Sequence, residues 1–172
     1  RHLDDGTEVL VVALAAHDED AADPYLPLLL WWAVERHAVA AHDALLDVVC
    51  QPKLWRRPLV HETVLPRLMR RYAADASRTG YLACAKLLDA APDADRMTLL
   101  GALDQGLDDR GVARGGSAGT LFANLAGAQS TATSESDADS VPFEVPDELL
   151  HHVERAWRDR ATDLVVLRLA AR

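Results

Sequence analysis

Apolar residues recur at helical spacing in one segment after another, and this periodicity constrains the fold more than any other feature of the chain. Over residues 58–75, Leu59, Val60, Val64, Leu65, Leu68, Met69 and Tyr72 keep that spacing, while Arg67, Arg70 and Arg71 mark a wet face. From Asp93 onward, Met97, Leu99, Leu100, Leu103 and Leu107 do the same. Aromatic residues make up only 5% of the 172 residues, and β-branched residues are few beside Ala and Leu. That bias favours helix and argues against a sandwich or barrel.

Start signals divide the chain into about eight short amphipathic helices. Thr7 caps a helix over residues 8–16. Asp23-Pro24 opens one over residues 24–40, with Asp as cap and Pro at the first helical position. Helices are predicted over residues 43–50 and, from Pro58, to about residue 75, with at most one turn at residues 51–55. Ser77 caps a helix over residues 79–91, and Asp93 starts the next. Pro146-Asp147-Glu148 begins a helix through Leu149, Leu150, Val153 and Trp157, with acids where the helix dipole favours them. The last is predicted over residues 161–171, with Leu164, Val165 and Leu169 inward, Leu167 near the edge, and Arg168 reaching out to water.

A short echo links two of these helices. Leu26-Pro27 with Leu29 recurs as Leu65-Pro66 with Leu68, an offset of 39 residues. Helix pairs of HEAT type repeat every ~40–47 residues. The expected fold is therefore all-α, an α-solenoid of HEAT-like helix pairs. Residues 1–111 read as the repeats, residues 112–145 as a flexible Gly/Ser/acidic insertion, and residues 146–172 as a further repeat continuing beyond the chain. Both ends read as cuts through a longer protein, without a leader peptide.

Charge and motif spacing narrow the chemistry. A net charge of -9 disfavours a dedicated nucleic-acid binder, although Arg56, Arg57, Arg67, Arg70 and Arg71 form a basic cluster. No apolar run reaches the ~18–20 residues of a membrane span. Cys50 and Cys84 form no paired motif and read as small buried hydrophobes. His61-Glu62 lacks the second His of a zinc-protease helix. His151 and Glu154 share a helix face, but no third metal ligand is in sequence reach. The acidic pairs Asp4-Asp5 and Asp108-Asp109 and the acids of residues 18–20 and 135–139 read as solvated loops, since none has calcium-loop spacing. Ser117 fits Gly-x-Ser-x-Gly across residues 115–119, but no strand precedes it as a nucleophile elbow requires. No catalytic, cofactor or metal residue is therefore assigned. Trp31, Trp32, Trp55 and Trp157 read as packing anchors. Trp31, Trp32 and Trp55, with Arg67, Arg70 and Arg71, are the candidate interaction surface.

Four stretches carry a family resemblance. They are residues 22–35 (Ala-Asp-Pro-Tyr-Leu-Pro-Leu-Leu-Leu-Trp-Trp-Ala-Val-Glu), residues 54–62 (Leu-Trp-Arg-Arg-Pro-Leu-Val-His-Glu), residues 65–73 and the opening residues 1–5. Together they resemble the HEAT-like segment of planctomycete-type membrane-bound dehydrogenase or haem-binding proteins, over residues 1–110 and more loosely 146–172. In that family a propeller comes first, a helical array follows, and a c-type cytochrome domain ends the chain. The haem attachment motif Cys-x-x-Cys-His is absent here. The resemblance implies a non-catalytic scaffold in the periplasm or outside the cell, joining a dehydrogenase module to its electron acceptor, with haem only in another domain. Its partners would be neighbouring domains or another protein. The alternatives are a small helical enzyme or ligand-binding domain using a His/carboxylate site, and a nucleic-acid platform.

Overall fold

The computed structural model describes residues 12, 13, 17, 21–114 and 145–172. Among them every regular element is helical and no strand occurs, so the chain is all-α. The expected Ser117 turn, the acids of residues 4–5, 18–20 and 135–139, and most of the expected first helix lie outside the described residues.

Helix α1 spans Leu26–Ala38. The N-cap is Tyr25 rather than the expected Asp23, whose Oδ1, two residues earlier, accepts from the Tyr25 and Leu26 N–H groups at 2.7 and 2.9 Å. The start falls two residues later than predicted, so Pro27 rather than Pro24 occupies the first turn. Helices α2 (His42–Val49) and α3 (Pro52–Trp55) follow, the latter a single turn opened by a proline.

The long helix expected over residues 58–75 is two elements. Leu59–Val64 winds as a π-helix, and α4 spans Leu65–Asp75. The Leu65 N–H bonds to the Val60 carbonyl, five residues back. Pro66 explains the change. In a continuous α-helix its ring would press on the carbonyl four residues earlier, and the wider turn removes that clash. α4 ends at Ala76 in the left-handed conformation (φ 54°), a usual helix stop.

Ser77 then caps α5 (Arg78–Ala90), its Oγ accepting from the Gly80 N–H at 2.9 Å. Helix α6 runs from Asp93 to Arg114 (Asp93–Arg114) and carries Asp108 and Asp109, which are therefore helical and not in a loop. Helix α7 is Asp147–Arg160 and α8 is Leu164–Ala170. α8 begins three residues later than expected because Asp163 supplies its cap, accepting from the Val165 N–H at 2.9 Å. The inward residues become Val166 and Leu169, while Leu164 is 76% exposed.

α4 lies at the centre. It packs most extensively against α6, and also against α5, α1 and the π-helix. α5 touches α2 on one side and α7 on the other, and α8 packs on α6 and α7. The junction of α4 and α6 is tight at Gly106, where an added Cβ would sit 2.4 Å from the Arg70 carbonyl oxygen and 2.7 Å from the Ala73 Cβ. Leu68, Met69, Tyr72, Leu87 and Leu103 fill one continuous core with Val34 and Leu45. Two ion pairs join neighbouring helices at a separation of 39 residues: Lys86 Nζ to Asp47 Oδ1 at 2.7 Å between α5 and α2, and Arg70 Nε to Asp109 Oδ2 at 2.6 Å between α4 and α6.

Candidate functional site

The candidate interaction residues do not form one surface. Trp31 and Trp55 are buried at 7% and 4% exposure, whereas Trp32 is 62% exposed. The Arg67 guanidinium lies 6.0 Å from the Trp31 ring centroid, within cation–π range. Arg70 is tied to Asp109 by two hydrogen bonds, at 2.6 and 3.0 Å, and this pairing holds the Asp109 carboxyl below its usual range. Arg71 is half-buried. Trp157, expected as a packing anchor, is 42% exposed. What remains on the outside is an apolar stripe along α1 and its N-cap, with Tyr25, Leu29 and Trp32 at helical spacing.

Trp55 does more than pack. Its Nε1–H donates to Asp95 Oδ2 at 2.8 Å, while His61 Nε2 lies 3.1 Å from Asp95 Oδ1. The Trp55 bond, then His61, holds the Asp95 carboxyl below its usual range. One carboxylate thus ties together α3, the π-helix and the first turn of α6. Glu62, with which His61 would pair in the alternative His/carboxylate reading, is exposed, and His61 pairs instead with a residue 34 positions later.

His151 and Glu154, a pair on which the alternative His/carboxylate reading could rest, are exposed. The adjacent His152, not singled out from the sequence, turns inward to a cleft of about 190 Å³ between the end of α5, the start of α6, and α7. Part of its lining is apolar, from Leu88, Met97, Leu100 and Ala156. The rest of the lining carries Arg96, Arg155 and Arg160 with Asp93 and Asp159, and includes His152. Arg96 Nη1 donates to Asp93. Its Nε is buried without a hydrogen-bond partner. Arg155 lies 3.9 Å from Asp93 and 4.0 Å from Asp159, attracted to both but beyond hydrogen-bond reach.

His152 is half-buried and pairs with Asp89 at 3.1 Å. Burial nevertheless outweighs Asp89 and lowers the imidazole pKa below that of an ordinary histidine. The unfolded chain therefore takes up a proton near pH 6.5 that the folded chain takes up only at lower pH. Stability falls as pH drops through this window and is recovered above it. Urea unfolding midpoints should decline from pH 7 to pH 5.5, and His152→Gln should flatten that decline. An equal decline in the variant would remove His152 as its cause.

Among the described residues, no group of three or more His, Cys, Asp or Glu side chains is placed to hold a metal ion. No described helix is long and apolar enough to cross a membrane. No family model, curated protein or solved structure matches the chain.

Proposed function

We propose that this chain is a helical-repeat strut, an α-solenoid of HEAT-like helix pairs that holds neighbouring modules in place and has no reactive centre of its own. The observation that carries the reading is the pair of ion pairs at a separation of 39 residues. Side chains one period apart face each other when repeat units stack, and 39 is also the offset between Leu26-Pro27 and Leu65-Pro66. Both prolines occupy the first turn of their helices. The order of contacts fits two rows, one of α1, α4, α6 and α8, the other of α2, α5 and α7. By the family resemblance, the strut would link a dehydrogenase propeller to a c-type cytochrome domain in the periplasm. The nucleic-acid alternative is weakened because Arg70 is already neutralised by Asp109.

Paired cysteines test the stacking. A short thiol-reactive cross-linker should join Asp47→Cys to Lys86→Cys, and Arg70→Cys to Asp109→Cys. The native thiols compete poorly, since Cys84 is fully buried and burial pushes the Cys50 thiol up to about 11. Failure of both pairs to cross-link would end the repeat reading. A stoichiometric metal ion, a haem absorbance band or reduction of electron-accepting dyes by the purified chain would end the strut reading.

A further inference from the structure

We propose that the cleft between α6 and α7 binds a small organic anion, a carboxylate or phosphate headgroup carried on a short apolar body. This inference stands apart from the strut reading and fails or holds independently of it. In a chain of net charge -9, this cleft gathers three arginines against two carboxylates. Arginine presents a planar fork of donors matched to both headgroups. Not all of their donors are spent within the protein, although Arg96 Nη1 donates to Asp93. Arg96 Nε is buried with no partner, and such a group is costly to leave unmet. Arg155 stands at 3.9 and 4.0 Å from its two acids, too far to bond either.

The apolar part of the lining sets the rest of the ligand. Leu88, Met97, Leu100 and Ala156 would cover a short hydrocarbon body and gain little from a bare ion. The volume of about 190 Å³ lies below the ~300–1,000 Å³ of drug-sized pockets. It suits a ligand of a few carbon atoms. His152, which also lines the cleft, is held toward its neutral form by burial and leaves the headgroup to the arginines.

Calorimetric titration of the full chain with isovalerate, isobutyl phosphate, inorganic phosphate and isoamyl alcohol tests the proposal. One or both organic anions should bind, and the preferred one identifies the headgroup. Inorganic phosphate should bind about tenfold more weakly than the better organic anion, and the alcohol not at all. Arg155→Gln, at a half-exposed side chain, should lower affinity about tenfold with an unchanged melting temperature. Arg158→Gln, exposed on the same helix, should leave it unaltered. Arg96→Gln should weaken binding as well, with its circular dichroism compared to show that the fold survives. No heat from either organic anion at about 10 mM, equal binding of the alcohol, or equal affinity in Arg155→Gln and the parent chain would each overturn it.

Discussion

Replacing Asp104 by alanine is expected to destabilise the chain by about 3–5 kcal/mol, read as a lower urea midpoint at unchanged slope. Asp104 sits in α6 with no exposed surface. Its Oδ1 accepts from Arg172 Nε at 3.1 Å and lies 2.9 Å from Arg172 Nη2, and its Oδ2 faces the Arg168 guanidinium. Arg172 is itself only 8% exposed and also reaches Asp108. These contacts bind α8 to α6. Alanine would leave a buried guanidinium without its central counter-charge, and the penalty is mostly that of the abandoned cation. The combined variant Asp104→Leu, Arg168→Leu, Arg172→Leu should therefore lose far less, because a fully apolar replacement of a buried ionic cluster is often neutral. A loss below about 1 kcal/mol in Asp104→Ala would show that the cluster does not hold α8 in place.

Gly106→Ala is expected to destabilise by about 2 kcal/mol, while Gly101→Ala on the same helix should stabilise by about 1 kcal/mol. Alanine gains ~1 kcal/mol over glycine in any helix interior. At Gly101 nothing lies within 4 Å of the new Cβ, so that gain stands alone. At Gly106 the Cβ would meet the Arg70 carbonyl oxygen at 2.4 Å, and backbone on a packed helix cannot swing away as a side chain can. The two central helices would have to part, at a cost near the upper end of ~1–3 kcal/mol for overpacking. Matching melting temperatures for the two variants would show that α4 and α6 separate freely.

Local rules carried most of the secondary structure. Ser77 caps the helix that follows it because its side-chain oxygen can meet a free N–H group in the first turn, and Asp23, two residues ahead of the N-cap of α1, reaches the N–H groups at that start. The all-helical class followed from apolar spacing in the same way. What spacing could not show was set by contacts distant in sequence. The residues of 58–75 keep helical spacing, yet the chain widens into a π-turn to accommodate Pro66. Asp104 falls between Leu103 and Leu107 on an apolar face, and only Arg168 and Arg172, more than 60 residues later, make its burial intelligible. Trp31 and Trp32, and likewise His151 and His152, are adjacent in sequence, but one step along a helix turns a side chain by ~100°. One member of each pair goes inside and the other out. The cleft is not legible in the sequence because its arginines come from two helices that only the folded chain brings together.

The split among the tryptophans gives the protein two separate optical gauges. Trp31 and Trp55 are shielded from water, whereas Trp32 and Trp157 are open to it. A neutral quencher such as acrylamide would dim the second pair first and leave a blue-shifted emission from the first. That residual light follows the integrity of the interior, since the Trp55 indole is fastened to Asp95. Trp157 rides on the same helix as His152, Arg155 and Arg160, so the quenchable fraction follows what happens beside them.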